Sequence, residues 1–336
     1  VIQAITPILF YYRLYREKLK SEGINMISST SKGTLYGIVA IFLWSTIVGL
    51  IRNISEYFGA VGGAALIYTT GTLFLILILG VPKLSLFPKR YLAWGALLFV
   101  SYEICLSLAL GFASDRAQAI ELGMVNYLWP SFTLALAVFL NKQRFSILLI
   151  VGLLCSFSGL VWVVSGDNPL TIESLWNNIC RNPLSYILAF IGAVLWAFYS
   201  NVTRLISGGH NGIVPFFFLT ALALWGQYIF SAPIEWVVNV KSISLLLITG
   251  AAIGLANAAW TAGMISGNVT LLATLSYFTP VISTAFSSLL LSTALSFSFW
   301  QGVMMVTGGS LICWLATRQK MTKMPKTSKS NVKQGS

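Results

Sequence analysis

Residues 42–55 read FLWSTIVGLIRNIS and residues 194–207 read VLWAFYSNVTRLIS. Laid over one another at an offset of 152, they align Trp44 with Trp196, Arg52 with Arg204 and Ser55 with Ser207. Further along, YLWP at 127–130 meets YFTP at 277–280 at an offset of 150, which also carries Gly152 onto Gly302 and Gly159 onto Gly309. The second apolar stretch of each half aligns poorly, but two registers agreeing over the rest mark an internal repeat. Two repeat units follow, 34–165 and 183–317. They are flanked by a segment 1–33, expected to be cytoplasmic, and by a basic tail 318–336.

The solvent of these units follows from composition. Hydrophobic residues make up 57% of the 336 positions and charged residues only 9%. A water-soluble domain carries about a quarter charged residues, so too few are present here to cover a wetted surface. A bilayer core of about 30 Å takes roughly 20 apolar residues as a helix. Runs suited to this occur near 34–51, 60–81, 90–113, 117–140, 145–165, 183–206, 212–231, 242–265, 269–291 and 297–317. Ten transmembrane helices are expected, because an open strand edge cannot be satisfied in lipid. Residues 1–25 read as an upstream extension or an amphipathic cytoplasmic segment, without a cleavable signal, and stand outside this fold.

Lys and Arg set the orientation. With the N-terminus cytoplasmic, seventeen of the 21 basic residues fall inside, and only Arg52, Arg116, Arg181 and Lys241 fall outside. Both termini are then cytoplasmic, and each repeat has five spans. Five is odd, so the second copy enters the membrane from the opposite side. The expected fold is therefore all-α, with two inverted five-helix repeats, an arrangement that secondary transporters use around a midplane site.

Few polar groups lie within the spans, and those few are the candidates for chemistry. Glu103 and Glu121 are the acids well inside an apolar run, with no Lys or Arg deep enough to pair with them. A carboxyl in that setting is costly. It serves proton coupling or docking of a substrate cation, or it stays neutral and hydrogen-bonded to backbone. Pro130 and Pro280 fall within the fourth and ninth spans, where a proline kinks a helix. Helical spacing sets Asn126, Trp129 and Thr133 on one face, and the 150-residue offset carries them onto Ser276, Thr279 and Ser283. These stripes suit a cavity at the kinks or ordinary packing by small polar residues. Among the eleven tryptophans, Trp44, Trp129, Trp196 and Trp260 lie inside spans, where an indole either stacks on a flat ligand or fills the core. The glycines at 152, 159, 302 and 309 read as close-packing sites.

Beyond the repeat, VSYEICLSLALG (100–111), GMVNYLWP (123–130), PLSYILAFIGA (183–193) and LSFSFWQG (295–302) resemble the EamA-type transporters of the drug/metabolite transporter superfamily. Within it they are most similar to bacterial exporters of aromatic amino acids. The resemblance covers about 33 to 318. It implies a bacterial inner-membrane protein that exports Phe, Tyr and Trp through a central cavity lined by aromatic and small polar side chains, here Tyr102, Tyr127, Trp129 and Trp196. Tyr277, Trp260 and Asn257 join these through the repeat and helical spacing. No cofactor, metal or nucleic acid is expected; the partners are a small-molecule substrate and the bilayer, and a monomer would suffice.

Three alternatives stand beside this reading, the first of them within transport. Efflux of flat cationic drugs would suit an aromatic box beside Glu103. An intramembrane enzyme would need a nucleophile–base pair or a ligand cluster, whereas the single histidine, His210, lies in a loop. A scaffold is disfavoured by the repeat. The net charge of +12 is spread over short loops and tails, which does not make a nucleic-acid surface. Cys105, Cys155 and Cys313 lie in apolar runs and Cys180 in a loop, without metal-type spacing.

Overall fold

The computed structural model describes residues 26–140, 146–165, 171–208 and 210–317, and over them it is helical, with no strand. The expected segments at 1–25 and 318–336 lie outside the described residues. Chain order runs α1 (Met26–Phe58), α2 (Ala60–Leu79), a single 3₁₀ turn (Leu84–Leu86), α3 (Lys89–Gly111), α4 (Arg116–Asn126), α5 (Trp129–Leu140) and α6 (Ile147–Ser165). After a short α7 (Ile172–Arg181) come α8 (Pro183–Ile206), α9 (Ile213–Ile229), α10 (Val240–Ser266), α11 (Val269–Ser276), α12 (Thr279–Leu290) and α13 (Phe297–Thr317). Seven of these helices are each long and apolar enough to cross a bilayer. At about 1.5 Å per residue, the 33 residues of α1 outrun the hydrocarbon core.

The outer surface explains why such helices need lipid. Leu77, Leu154, Phe218 and Met304 are more than half exposed, scattered over four elements of the bundle. Apolar surface on this scale is a liability in water. Inside, the core is aromatic and aliphatic, with Tyr68, Phe99, Phe216 and Phe217 fully buried. The multi-pass membrane character read from composition is thereby matched by the way the side chains sort.

The fourth and ninth apolar runs depart from expectation. Each is two helices separated by two residues, Tyr127–Leu128 and Tyr277–Phe278. The kinks expected at Pro130 and Pro280 are full breaks, and both prolines sit in the first turn of the downstream helix. Proline has no N–H to give and its ring clashes with the carbonyl four residues back, so it is tolerated where a helix starts and not where one continues. The two breaks bond alike. Leu128 and Phe278 N–H groups reach back three residues to Val125 and Leu275, while Phe132 and Ile282 resume the helical pattern onto Leu128 and Phe278.

Helix pairing follows a matching scheme. α1 packs on α10 as α3 packs on α8, α2 meets α9, α6 meets α13, and α1 on α12 is mirrored by α8 on α5. The α6–α13 contact is the closest. A Cβ added at Gly152 would lie 2.7 Å from the Gly309 carbonyl oxygen, and one added at Gly302 would lie 2.7 Å from that of Gly159. Only glycine lets two backbones approach in this way. Beside it Ser131 bonds Ser156 at 2.9 Å and Ser310 at 3.1 Å, tying α5 to the pair.

One element escaped the apolar-run reading. α7 is short and two-sided, with Ile172 and Trp176 exposed, and its Asn178 ties it back to the first half. Asn178 donates to the Val164 carbonyl at 2.7 Å.

Candidate functional site

A cavity of about 200 Å³ lies between the two halves, walled by α1, α2, α3, α4, α5, α8, α10, α11 and α12. Because both broken helices end on it, Asn126 closes α4, Trp129 opens α5, Ser276 closes α11 and Thr279 opens α12, all on its lining. The breaks thus deliver helix ends and side chains to the middle of the bundle, where a continuous helix would offer a closed backbone.

Two aromatic walls face the space. On one, Trp44 of α1 lies against Trp260 of α10, ring centres 5.0 Å apart. On the other, Trp196 of α8 packs on Tyr102 of α3 at 4.5 Å and meets Trp129 of α5 edge-on at 6.2 Å. Trp196 is backed by Phe99 and Tyr199, so its ring is held from behind. Ile47, Val48, Leu106 and Ile253 fill the apolar remainder.

The polar part is small and definite. Glu103, 7% exposed, reaches the cavity from α3. Its Oε2 accepts a 2.5 Å hydrogen bond from the Tyr68 hydroxyl of α2, and Ser107 donates to that hydroxyl at 3.4 Å. Around the rim several donors are already engaged. Ser200 Oγ donates to the Trp196 carbonyl at 2.8 Å and Thr279 Oγ1 to that of Ser276 at 2.6 Å. Asn257 Nδ2 donates to Ile253 at 3.0 Å, and Asn126 Nδ2 to Ala189 at 3.4 Å. No Lys, Arg or His belongs to the lining among the described residues.

Of the residues singled out by sequence, Tyr102, Glu103, Asn126, Tyr127, Trp129, Trp196, Asn257 and Trp260 are brought together here. Tyr277 and Glu121 are not. The Tyr277 ring packs toward Trp314 of α13 at 6.3 Å and is not on the lining. Glu121 Oε1 accepts from the Tyr186 hydroxyl at 2.6 Å and from Asn178 at 3.2 Å, joining α4 to α7 and α8. Thr133 and Ser283 also stay off the lining: Thr133 gives its hydroxyl to the Trp129 carbonyl at 2.7 Å, and Ser283 is buried within the bundle. Sequence reasoning missed Tyr68, since a tyrosine in an apolar run carries no mark of what it bonds.

A second polar cluster caps one end of the bundle. Glu56, near the end of α1, takes a bidentate pair of bonds from Arg116 at 2.7 and 3.0 Å and a third from Arg52 at 3.2 Å. Arg52 also donates to the Ala113 carbonyl at 2.6 Å, and Arg116 to that of Leu291 at 3.1 Å. The cluster therefore bolts α1 and the α3–α4 connection to the end of α12. The i, i+4 spacing of Arg52 and Glu56 was legible; the reach to Leu291 was not.

Comparison with known proteins adds to this geometry. The EamA-like transporter family profile matches residues 31–165. The chain is 51% identical over 292 residues to the aromatic amino acid exporter YddG of Salmonella typhimurium, covering 87% of this chain and all of that one. It is 52% identical over 288 residues to the protein of that name from Escherichia coli K12, covering 86% and 98%. A solved crystal structure at 25% identity superimposes with a TM-score of 0.58, over 88% of this chain and the whole of the other.

Proposed function

This chain belongs to the EamA-like transporter family, and from that premise we propose that it exports aromatic amino acids across the bacterial cytoplasmic membrane by alternating access. The observation that carries the reading is the cavity between the halves: two aromatic walls around one buried carboxyl. A flat ring slides between Trp44 and Trp260 on one side and Trp196, Tyr102 and Trp129 on the other, where offset and edge-on contacts each contribute about 0.5–1.5 kcal/mol beyond burial. The substrate ammonium group docks at Glu103, which also serves as the site of proton coupling. Tyr127, Asn126 and Asn257 complete the contact surface.

The proposed architecture is ten spans in two inverted repeats, 34–165 and 183–317, with both termini cytoplasmic. Two arguments support it. The 17-to-4 division of basic residues orients the chain. The α6–α13 contact is reciprocal: Gly152 meets Gly309 and Gly159 meets Gly302, while the 150-residue offset equates 152 with 302 and 159 with 309. Equivalent helices that cross antiparallel in this way are related by an axis lying in the membrane plane, as an inverted repeat requires. In this orientation the Arg52–Glu56–Arg116 cluster closes the outer end, so the cavity is sealed from outside while it loads from the cytoplasm.

The test is reconstitution. Vesicles containing the protein are expected to move labelled Phe, Tyr and Trp saturably, faster with an opposing proton gradient, and to leave serine behind. Movement of the three aromatic amino acids no faster than in empty vesicles defeats the reading. Efflux of flat cationic drugs is the second reading, favoured by the same carboxyl beside aromatic faces. Cells expressing the protein separate the two: resistance to toxic phenylalanine analogues supports the first, and resistance to lipophilic cations alone supports the second.

A further inference from the structure

An aromatic amino acid carries two charges, and the cavity is built for only one of them. Glu103 Oε2 is held by Tyr68, whereas Oε1 has no hydrogen-bond partner among the described residues and sits on a residue that lines the cavity. The rim hydroxyls of Ser200 and Thr279 give their protons to their own helices, so what they turn to a ligand is lone pairs. Asn257 and Asn126 each give one amide hydrogen to a backbone carbonyl. A ligand ammonium group therefore meets a carboxyl and several acceptors, a combination suited to charge-assisted bonds. A ligand carboxylate meets neutral donors only, namely indole N–H, phenol O–H and the backbone N–H groups that open α5 and α12, with no cation on the described lining. A buried charge without a partner costs several kcal/mol.

Resting on the export reading above, we propose that the site also takes aromatic monoamines and carboxyl-blocked aromatic amino acids, and binds them at least as tightly as the parent amino acids. The aromatic ring and the ammonium group are the recognised parts of the substrate. The carboxylate is tolerated, not read.

The experiment is competition on the purified full-length protein in detergent, with labelled phenylalanine as tracer. 2-Phenylethylamine and phenylalanine amide, which keep the ammonium group, are expected to displace it at concentrations equal to or below those needed for phenylalanine. 3-Phenylpropionate, which keeps only the carboxylate, is expected to be weaker by about tenfold or more, the ratio that 1.4 kcal/mol sets. In Glu103→Gln the advantage of the amine over phenylalanine should vanish while the ring is still bound. Phenylpropionate competing as well as phenylethylamine overturns the proposal. Absence of any saturable phenylalanine binding would instead strike the export reading. Direct titration with 2-phenylethylamine, followed by fluorescence of the cavity tryptophans, then decides the amine proposal alone: quenching that saturates upholds it, and none rejects it.

Discussion

Trp196 joins two other rings of the site, Tyr102 and Trp129, and is backed by Phe99 and Tyr199. Trp196→Ala should abolish most phenylalanine export while the protein still inserts and elutes as a single species. Trp176→Ala, on the exposed face of α7, should export normally. Equal transport by both variants and the parent would remove the aromatic wall from the mechanism. Tyr68 offers a finer test. Tyr68→Phe deletes the hydroxyl that holds Glu103 and leaves the ring in its packing against Phe217. Losing a donor to a buried acid costs about 1–3 kcal/mol, so the melting temperature in detergent should fall, and export should lose its response to a proton gradient as it does in Glu103→Gln. A Tyr68→Phe protein with unchanged melting and unchanged coupling would make that bond incidental. At this scale the sequence drew attention to Glu103 and Trp196, which both line the cavity, since a charge or an indole inside an apolar run announces its cost without any fold. Tyr277 and Glu121 lie off the cavity lining. The repeat offset equates Tyr277 with Tyr127, but the two copies have diverged in what surrounds the ring, and the partners of Glu121 come from α7 and α8, more than fifty residues away.

The elements were readable where lipid imposes length. Apolar runs located the long helices to within a few residues at most ends, because about 20 residues are needed to cross the core. What periodicity could not supply was the state of the backbone at the two prolines. A continuous kinked helix and a broken one have the same composition, and the outcome depends on whether neighbouring elements satisfy the freed carbonyls. α7 escaped for the opposite reason, being too short and too two-sided to register as a span. The α6–α13 seam gives the element-level prediction. Gly159→Ala places a methyl 2.7 Å from the Gly302 carbonyl oxygen, whereas Gly308→Ala, on the same partner helix, meets nothing within 4 Å. Forcing an extra carbon into close packing costs about 1–3 kcal/mol, while replacing an open helical glycine by alanine gains up to about 1 kcal/mol. Thermal denaturation in one detergent should therefore show Gly159→Ala lowered and Gly308→Ala equal to the parent or slightly raised. A parent-like melting curve for Gly159→Ala would mean that the seam is looser than its geometry.

For the molecule as a whole, the proposed alternating access needs two competing arrangements, and the free-energy gap between them must be small for either to be visited. The sequence suggested the pseudo-symmetry and the orientation proposed above; it could not suggest which end the polar cluster holds, since that rests on Arg116 reaching the Leu291 carbonyl across 175 positions of chain. Glu56 is the hub of that closure, binding Arg116 and Arg52 together while remaining partly exposed. Ion pairs of this exposure are worth up to about 1 kcal/mol each, enough to move a two-state population about fivefold, yet weak enough to be broken once per transport cycle. A much stronger, fully buried pair would hold the outer end shut; none at all would let it stand open with the cavity unloaded. Glu56→Gln keeps the size of the side chain and removes the charge that holds both arginines. With Val48→Cys as a reporter on the cavity wall, in a background without the four native cysteines, a membrane-impermeant thiol reagent added outside should label the Glu56→Gln protein several-fold faster than its Glu56 counterpart. High salt should narrow the difference by speeding the counterpart, because screening weakens exposed pairs. Equal labelling of the two proteins at low salt would show that the cluster does not gate the outer end, and that closure resides in the packing of α1 against α12.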